Sequence, residues 1–111
     1  MTLFEKIIAR QIPADFVYED DWCVAFRDIA PQAPTHVLVV PRTPIPRLVD
    51  AEEADAEALG RCLLAARAVA RALGVGDGFR LVVNNGEAAG QTVFHLHFHL
   101  LAGRRLGWPP G

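Results

Sequence analysis

Three of the four histidines in this 111-residue chain occupy alternate positions of one short run, His95-Leu96-His97-Phe98-His99-Leu100-Leu101; the fourth is His36. In a β-strand, residues i, i+2 and i+4 point to one face. The spacing therefore predicts three imidazoles along one side, roughly 6–7 Å apart, with Leu96, Phe98 and Leu100 entering a core on the other. Imidazole is the side chain best suited to nucleophilic, acid–base or metal chemistry near neutral pH.

Three kinds of role compete for such a run. A lone strand histidine is ordinarily a hydrogen-bonded packing residue. Three in register would repel if several protonated, and Val or Thr would serve a sheet better. Strand histidines at i and i+2 can ligate zinc, with a third group completing an open site. The nearest carboxylate in sequence is Glu87, in a loop, and no acids are evident to orient the imidazoles. The third role is covalent phosphoryl or nucleotidyl transfer, in which an imidazole nitrogen attacks phosphorus and leaves again. The neighbours suit it. Gly86-Glu87-Ala88-Ala89-Gly90-Gln91-Thr92 is a loop whose backbone can approach an anion closely, and Thr92 and Asn84 offer neutral hydrogen bonds. No G-x-x-x-x-G-K-[ST] is present, which disfavours a Mg-nucleotide ATPase. Gly74-Val75-Gly76-Asp77-Gly78 follows a helix and leads to a strand, so it reads as a plain loop rather than a dinucleotide fingerprint.

The elements that must position these residues follow from pattern. Thr2 and Glu5 have capping-box spacing and start a short helix through about Arg10. Phe16 to Glu19 and Trp22 to Arg27 read as a hairpin around Asp20-Asp21. Pro31 and Pro34 bracket a rigid loop before a β-branched strand, His36 to Val40, closed by Pro41. A long helix begins with Asp50 as N-cap. Its apolar face is Leu59, Cys62, Leu63, Ala66, Val69, Ala70 and Leu73, with Gly74 where a C-cap belongs. Phe79 to Asn84 is a strand, and the histidine strand runs from about Val93 to Ala102. Strands and helices do not alternate regularly. The pattern predicts one α+β domain over residues 1–111, with an antiparallel sheet of about five strands, one short N-terminal helix and one long one.

Composition bounds the function. The chain is 51 % apolar, enough for a core without disulfide staples. Its net charge of −2 and lack of a polybasic run argue against a nucleic-acid polymer or an anionic membrane. The apolar stretch from Ala54 to Val75 is broken by Glu57, Arg61, Arg67 and Arg71, so it is not a membrane span. Cys23 and Cys62 are too few and too far apart for a disulfide framework. A reducing cytoplasm is the expected setting.

On these residues the chain resembles the histidine triad superfamily, His-x-His-x-His-x-x with apolar x, here His95 through Leu101. The likeness extends to Phe26 through Pro41, Val82-Val83-Asn84, Gly90-Gln91-Thr92-Val93-Phe94 and Trp108-Pro109-Pro110-Gly111, which resemble the Hint branch. The resemblance implies a homodimer with the sheet continued between subunits, no cofactor or catalytic metal, and hydrolysis of the P–N bond of purine nucleoside 5′-phosphoramidates. In that scheme His97 attacks the α-phosphorus, His99 binds the phosphate, His95 orients His97, and His36 relays a proton to the leaving amine. Asp28 matches the carboxylate that binds both ribose hydroxyls. Ile7, Phe26 and Ile29 match an apolar clamp on the base. Asn84, Gly90, Gln91 and Thr92 match phosphate-contacting positions. Trp108 matches a tail residue placed near the partner subunit's site.

The chain departs from the Hint pattern in two places. Thr92 stands where serine is common, and Asn85 where an acid is common. The N-terminal cysteine pair that some bacterial relatives use for structural zinc is replaced by Leu3-Phe4-Glu5-Lys6. Two other classes fit much of the same pattern: a dinucleoside polyphosphate hydrolase, and a non-catalytic purine nucleotide-binding adaptor. The residues do not distinguish adenine from guanine.

Overall fold

Alternation along the central strands gives this sheet two apolar faces. The computed structural model describes residues 1–111. Its elements are α1 (Leu3–Ile8), β1 (Phe16–Glu19), β2 (Cys23–Arg27), β3 (Thr35–Pro41), α2 (Ala56–Ala72), β4 (Phe79–Val82) and β5 (Phe98–Ala102). The five strands form one antiparallel sheet in the order β1-β2-β3-β5-β4. Cys23, Ala25, Val37, Val39, Phe98 and Leu100 point to one face and pack under α2. Val24, Phe26, Leu38 and Val40 point to the other, where Phe4 and Ile7 of α1 cover them. A strand buried on both faces reads as a continuous apolar run, as β2 and β3 do. This is the α+β architecture expected, with one short helix and one long one.

The capping box at Thr2 and Glu5 is present, at 3.0 and 3.1 Å. The helix stops at Ile8, short of the expected Arg10. Arg10 takes a left-handed conformation (φ 62°), pairs with Glu19 at 2.8 Å, and lays its guanidinium 3.5 Å from the centre of the Phe16 ring.

The long helix also starts later than expected. Asp50 is not its N-cap. Arg47 pairs with both carboxylate oxygens of Asp50 at 2.9 Å, which folds Leu48–Asp50 into a separate 3-10 turn. A second turn, Glu53–Asp55, follows, and Ala56 opens α2. The buried stripe is Ala58, Cys62, Ala65, Ala66, Val69 and Ala70, a seam of small side chains that seats the helix against the sheet. Leu63, expected on that face, is half exposed at 50 %. The chain leaves α2 through Gly74, whose φ of 73° suits glycine at this position.

The histidine strand is shorter than alternation predicts. Ladder pairing begins at Phe98, opposite Val39. Continuing that register would set Pro41 opposite Leu96, and proline has no N–H for the ladder. Residues 91–97 hang instead on the end of β3 and the segment that follows it. The Leu96 N–H donates to the Ile45 carbonyl at 2.6 Å, and the His95 ring donates to the Pro41 carbonyl at 2.7 Å.

Candidate active site

A cavity of about 310 Å³ opens between α1 and the sheet. Its apolar walls are Leu3, Phe4, Ile7, Ile12, Phe26 and Leu38. Its polar lining includes Asp28, Thr92, His97 and His99. Ile29, 97 % exposed, stands at the rim.

The three rings lie on the α1 side, with the Phe4 ring 6.3 Å from His95 and 4.8 Å from His97, but only two of them reach the cavity. His97 and His99 line the cavity with ring centres 5.0 Å apart. His95 does not line it; its ring is 1 % exposed, and its Nδ1 lies buried without a partner. His36 sits on β3 opposite Leu101, and His99 sits opposite Leu38. The two are diagonal neighbours on one face, with His36 Nε2 2.9 Å from His99 Nδ1.

Hydrogen-bond partners decide where each proton sits. His97 Nδ1 faces the His95 carbonyl oxygen at 2.7 Å and must donate to it, which leaves Nε2 with a free lone pair. The His95 group that meets the His97 ring is its carbonyl, while its own ring is engaged with the Pro41 carbonyl. His36 Nδ1 accepts the Gln32 backbone N–H at 3.0 Å. Its proton is therefore on Nε2 and is donated to His99 Nδ1, so His99 carries its own proton on Nε2. One backbone amide thereby sets two tautomers. His97 offers a lone pair and His99 a proton to the same cavity.

Burial is the main force holding all three triad rings neutral. It pushes His95 and His97 below the ordinary imidazole range. His99 falls to about 4, through burial and then the neighbouring His97 and His36 rings. A neutral His97 is a competent nucleophile at neutral pH. Phe4 contributes to that burial, its ring edge-on to His97 at 4.8 Å and to Phe26 at 5.5 Å.

Asp28 Oδ1 accepts the Ala30 N–H at 2.8 Å, and its Oδ2 lies 3.5 Å from His36 Nε2. Asp28, His36 and His99 bring ligand-type atoms within 4.8 Å of one another. The tautomer tells against a metal there: with Nδ1 accepting the Gln32 amide, His36 Nε2 carries hydrogen rather than a lone pair. The geometry is that of two hydrogen-bonded imidazoles beside a carboxylate.

Residues 9–106 match the HIT domain family. The chain belongs to the HIT family. An uncharacterised HIT-like protein of Synechocystis is 59 % identical over 99 % of this chain and 96 % of its own length. A 14 kDa zinc-binding protein of Zea mays is 49 % identical over 99 % of this chain and 88 % of its own. Among solved structures, a HIT family hydrolase of Legionella pneumophila superposes with a TM-score of 0.97 at 46 % identity, with all of both chains covered. A histidine triad nucleotide-binding protein of Candida albicans gives 0.85 at 30 % identity, covering 98 % of this chain and 83 % of its own.

In this HIT fold, Ile7, Phe26, Asp28, Ile29, Thr92, His97 and His99 line one cavity, with His36 directly behind His99. Asn84, Gly90, Gln91 and Trp108 do not line it. Gln91 is buried, with its carboxamide bonded into the protein. Asn84 lies beside Gly90, its Nδ2 4.0 Å from where a β-carbon on Gly90 would sit. Trp108 is 83 % exposed on a tail that Arg80 holds through the Leu106 and Gly107 carbonyls. Sequence reasoning missed Leu3, Phe4, Ile12 and the Gln32 amide. Phe4 had a signal, since it is three residues before Ile7 on one helix face. A backbone amide has none.

Proposed function

We propose that this chain hydrolyses the P–N bond of purine nucleoside 5′-phosphoramidates, as a member of the Hint branch, without a catalytic metal. One observation carries the reading: in a cavity with mostly apolar walls, the hydrogen-bond partners of His97 and His99 assign them opposite tautomers. The base lies against Ile7, Phe26 and Ile29, and Asp28 takes the ribose hydroxyls. His97 Nε2 attacks the α-phosphorus and the P–N bond breaks. The amine leaves with a proton relayed by His36, the His36–His99 pair having first taken up one proton from solvent, because an unprotonated amide anion is a very poor leaving group and a neutral imidazole N–H is too weak an acid to protonate it. His99 Nε2–H binds the phosphate oxygen as charge builds there. Water then attacks the nucleotidyl-imidazole and gives its proton to the His36–His99 pair, replacing the one lost to the amine; the P–N bond to His97 breaks, releasing the monophosphate and restoring the His97 lone pair.

The active form in this reading is a homodimer. β4 is an edge strand with one side free for a second copy, and a partner subunit would cover Trp108. Light scattering should then give twice the 12.1 kDa chain mass. The setting is cytoplasmic, which suits two free, fully buried thiols. No helix is long and apolar enough to cross a membrane.

The test is amine release from adenosine 5′-tryptamine phosphoramidate by chelator-treated protein, with His97→Ala alongside. Turnover in the first and none in the second supports the reading, and rapid acid quench should show a nucleotidyl group on the His97 peptide. Turnover only on added zinc would replace the mechanism with a metal-dependent one. Tight AMP binding with no turnover would make the chain an adaptor.

A further inference from the structure

One buried side chain braces the loop that leads to the triad. Gln91 is 2 % exposed. Its Oε1 accepts the Gly86 N–H at 2.8 Å, and its Nε2 donates to the Pro46 carbonyl at 2.8 Å and the Val93 carbonyl at 3.0 Å. Its own backbone N–H donates to the Gly86 carbonyl at 3.1 Å. These bonds close Gly86 to Gln91 into a ring and pin that ring to the segment after β3.

Both hydrogens of the carboxamide are used, and those are the only donors the side chain has. Its oxygen is an acceptor and would repel an anion. Gln91 therefore has nothing to offer a phosphate. The Nε2–Val93 bond, however, spans Thr92 from one side to the other. Thr92 and Val93 line the cavity and Gln91 does not.

We infer that Gln91 is a positioning residue that acts through Thr92. It holds the Thr92 hydroxyl at the phosphate end of the cavity and does not itself touch substrate. The inference rests on the phosphoramidase reading of the site and deepens it. Gln91→Glu tests it with almost no change of size, because a carboxylate oxygen then faces two carbonyls where an N–H₂ stood.

The experiment is a double-mutant cycle on kcat/KM for adenosine 5′-tryptamine phosphoramidate, with Gln91→Glu, Thr92→Val and both together. Each single change should lower kcat/KM about tenfold, and the pair should be little worse than either alone, because coupled residues are non-additive. Multiplying losses would overturn the inference, as would an unchanged kcat/KM in Gln91→Glu. Should Gln91→Glu fail to fold, Gln91→Met removes the same bonds without burying charge and enters the same cycle. Absence of turnover in the unmodified protein would count against the phosphoramidase reading itself, whereas turnover with multiplicative losses would count against Gln91 alone.

Discussion

His36 and His99, 63 residues apart in sequence, share one hydrogen bond of 2.9 Å between facing ring nitrogens. The Gln32 amide behind His36 gives that bond a direction, from His36 Nε2–H to His99 Nδ1. The free N–H of the pair is thus His99 Nε2, on a ring that lines the same cavity as His97.

Replacing His36 with Phe removes the donor to His99. Proton delivery matters most when the leaving group is poor, and general acid catalysis is worth about 10²–10⁴-fold. Turnover of an alkylamine phosphoramidate should therefore fall about 100-fold or more. A nucleoside 5′-phosphate ester of p-nitrophenol, which leaves without protonation, should lose far less. Equal losses on the two substrates would remove His36 from proton delivery.

Acid should weaken the fold through His99. An unfolded imidazole takes its proton near 6.5, and the folded ring only near 4. Between those values the unfolded state holds more protons, so stability rises with pH. The contribution is fully present above about 6.5 and is lost as pH falls through 6.5 towards 4. Urea unfolding at pH 7 and pH 4.5 should show the stability of the unmodified protein, relative to His99→Gln, declining on acidification.

Ile29 is almost fully exposed, so its side chain adds little to folding. Covering an isoleucine with a ligand is worth about 1.5–3 kcal/mol at most. Ile29→Ser should raise the AMP dissociation constant about tenfold and leave the thermal midpoint unchanged. Calorimetric titration and a melting curve check both halves.

Phe4 joins the core to the site, with its ring against both Phe26 and His97. Phe4→Ala should cost about 3–5 kcal/mol of stability. It should also raise the pKa of His97, since burial is the main cause of its depression. Denaturant titration measures the first, and histidine NMR titration the second.

Much of this protein follows from local pattern alone. Period-2 runs defined the strands, the Thr2–Glu5 spacing defined the first cap, and Gly74 marked the end of α2, because each rests on contacts a few residues apart. The alternating histidines marked the site for the same reason. The resemblance supplied the candidate residues, and seven of them meet at one cavity. What failed locally was decided by distant partners. Arg47 drew Asp50 into its own turn. Pro41 cut the histidine strand short, which left His95 and His97 outside the ladder. Gln91, which the resemblance matches to a phosphate-contacting position, is buried with its donors on Pro46 and Val93, a placement that only those distant partners reveal.

The sequence by itself determined the chemical groups, their spacing and the two-faced sheet that carries them, since side-chain identity and strand period are properties of neighbouring residues. Only the tertiary structure decided which nitrogen of each imidazole holds a proton. That choice depends on carbonyls and amides brought together from Gln32, Pro41 and His95, and a backbone group leaves no mark in the sequence.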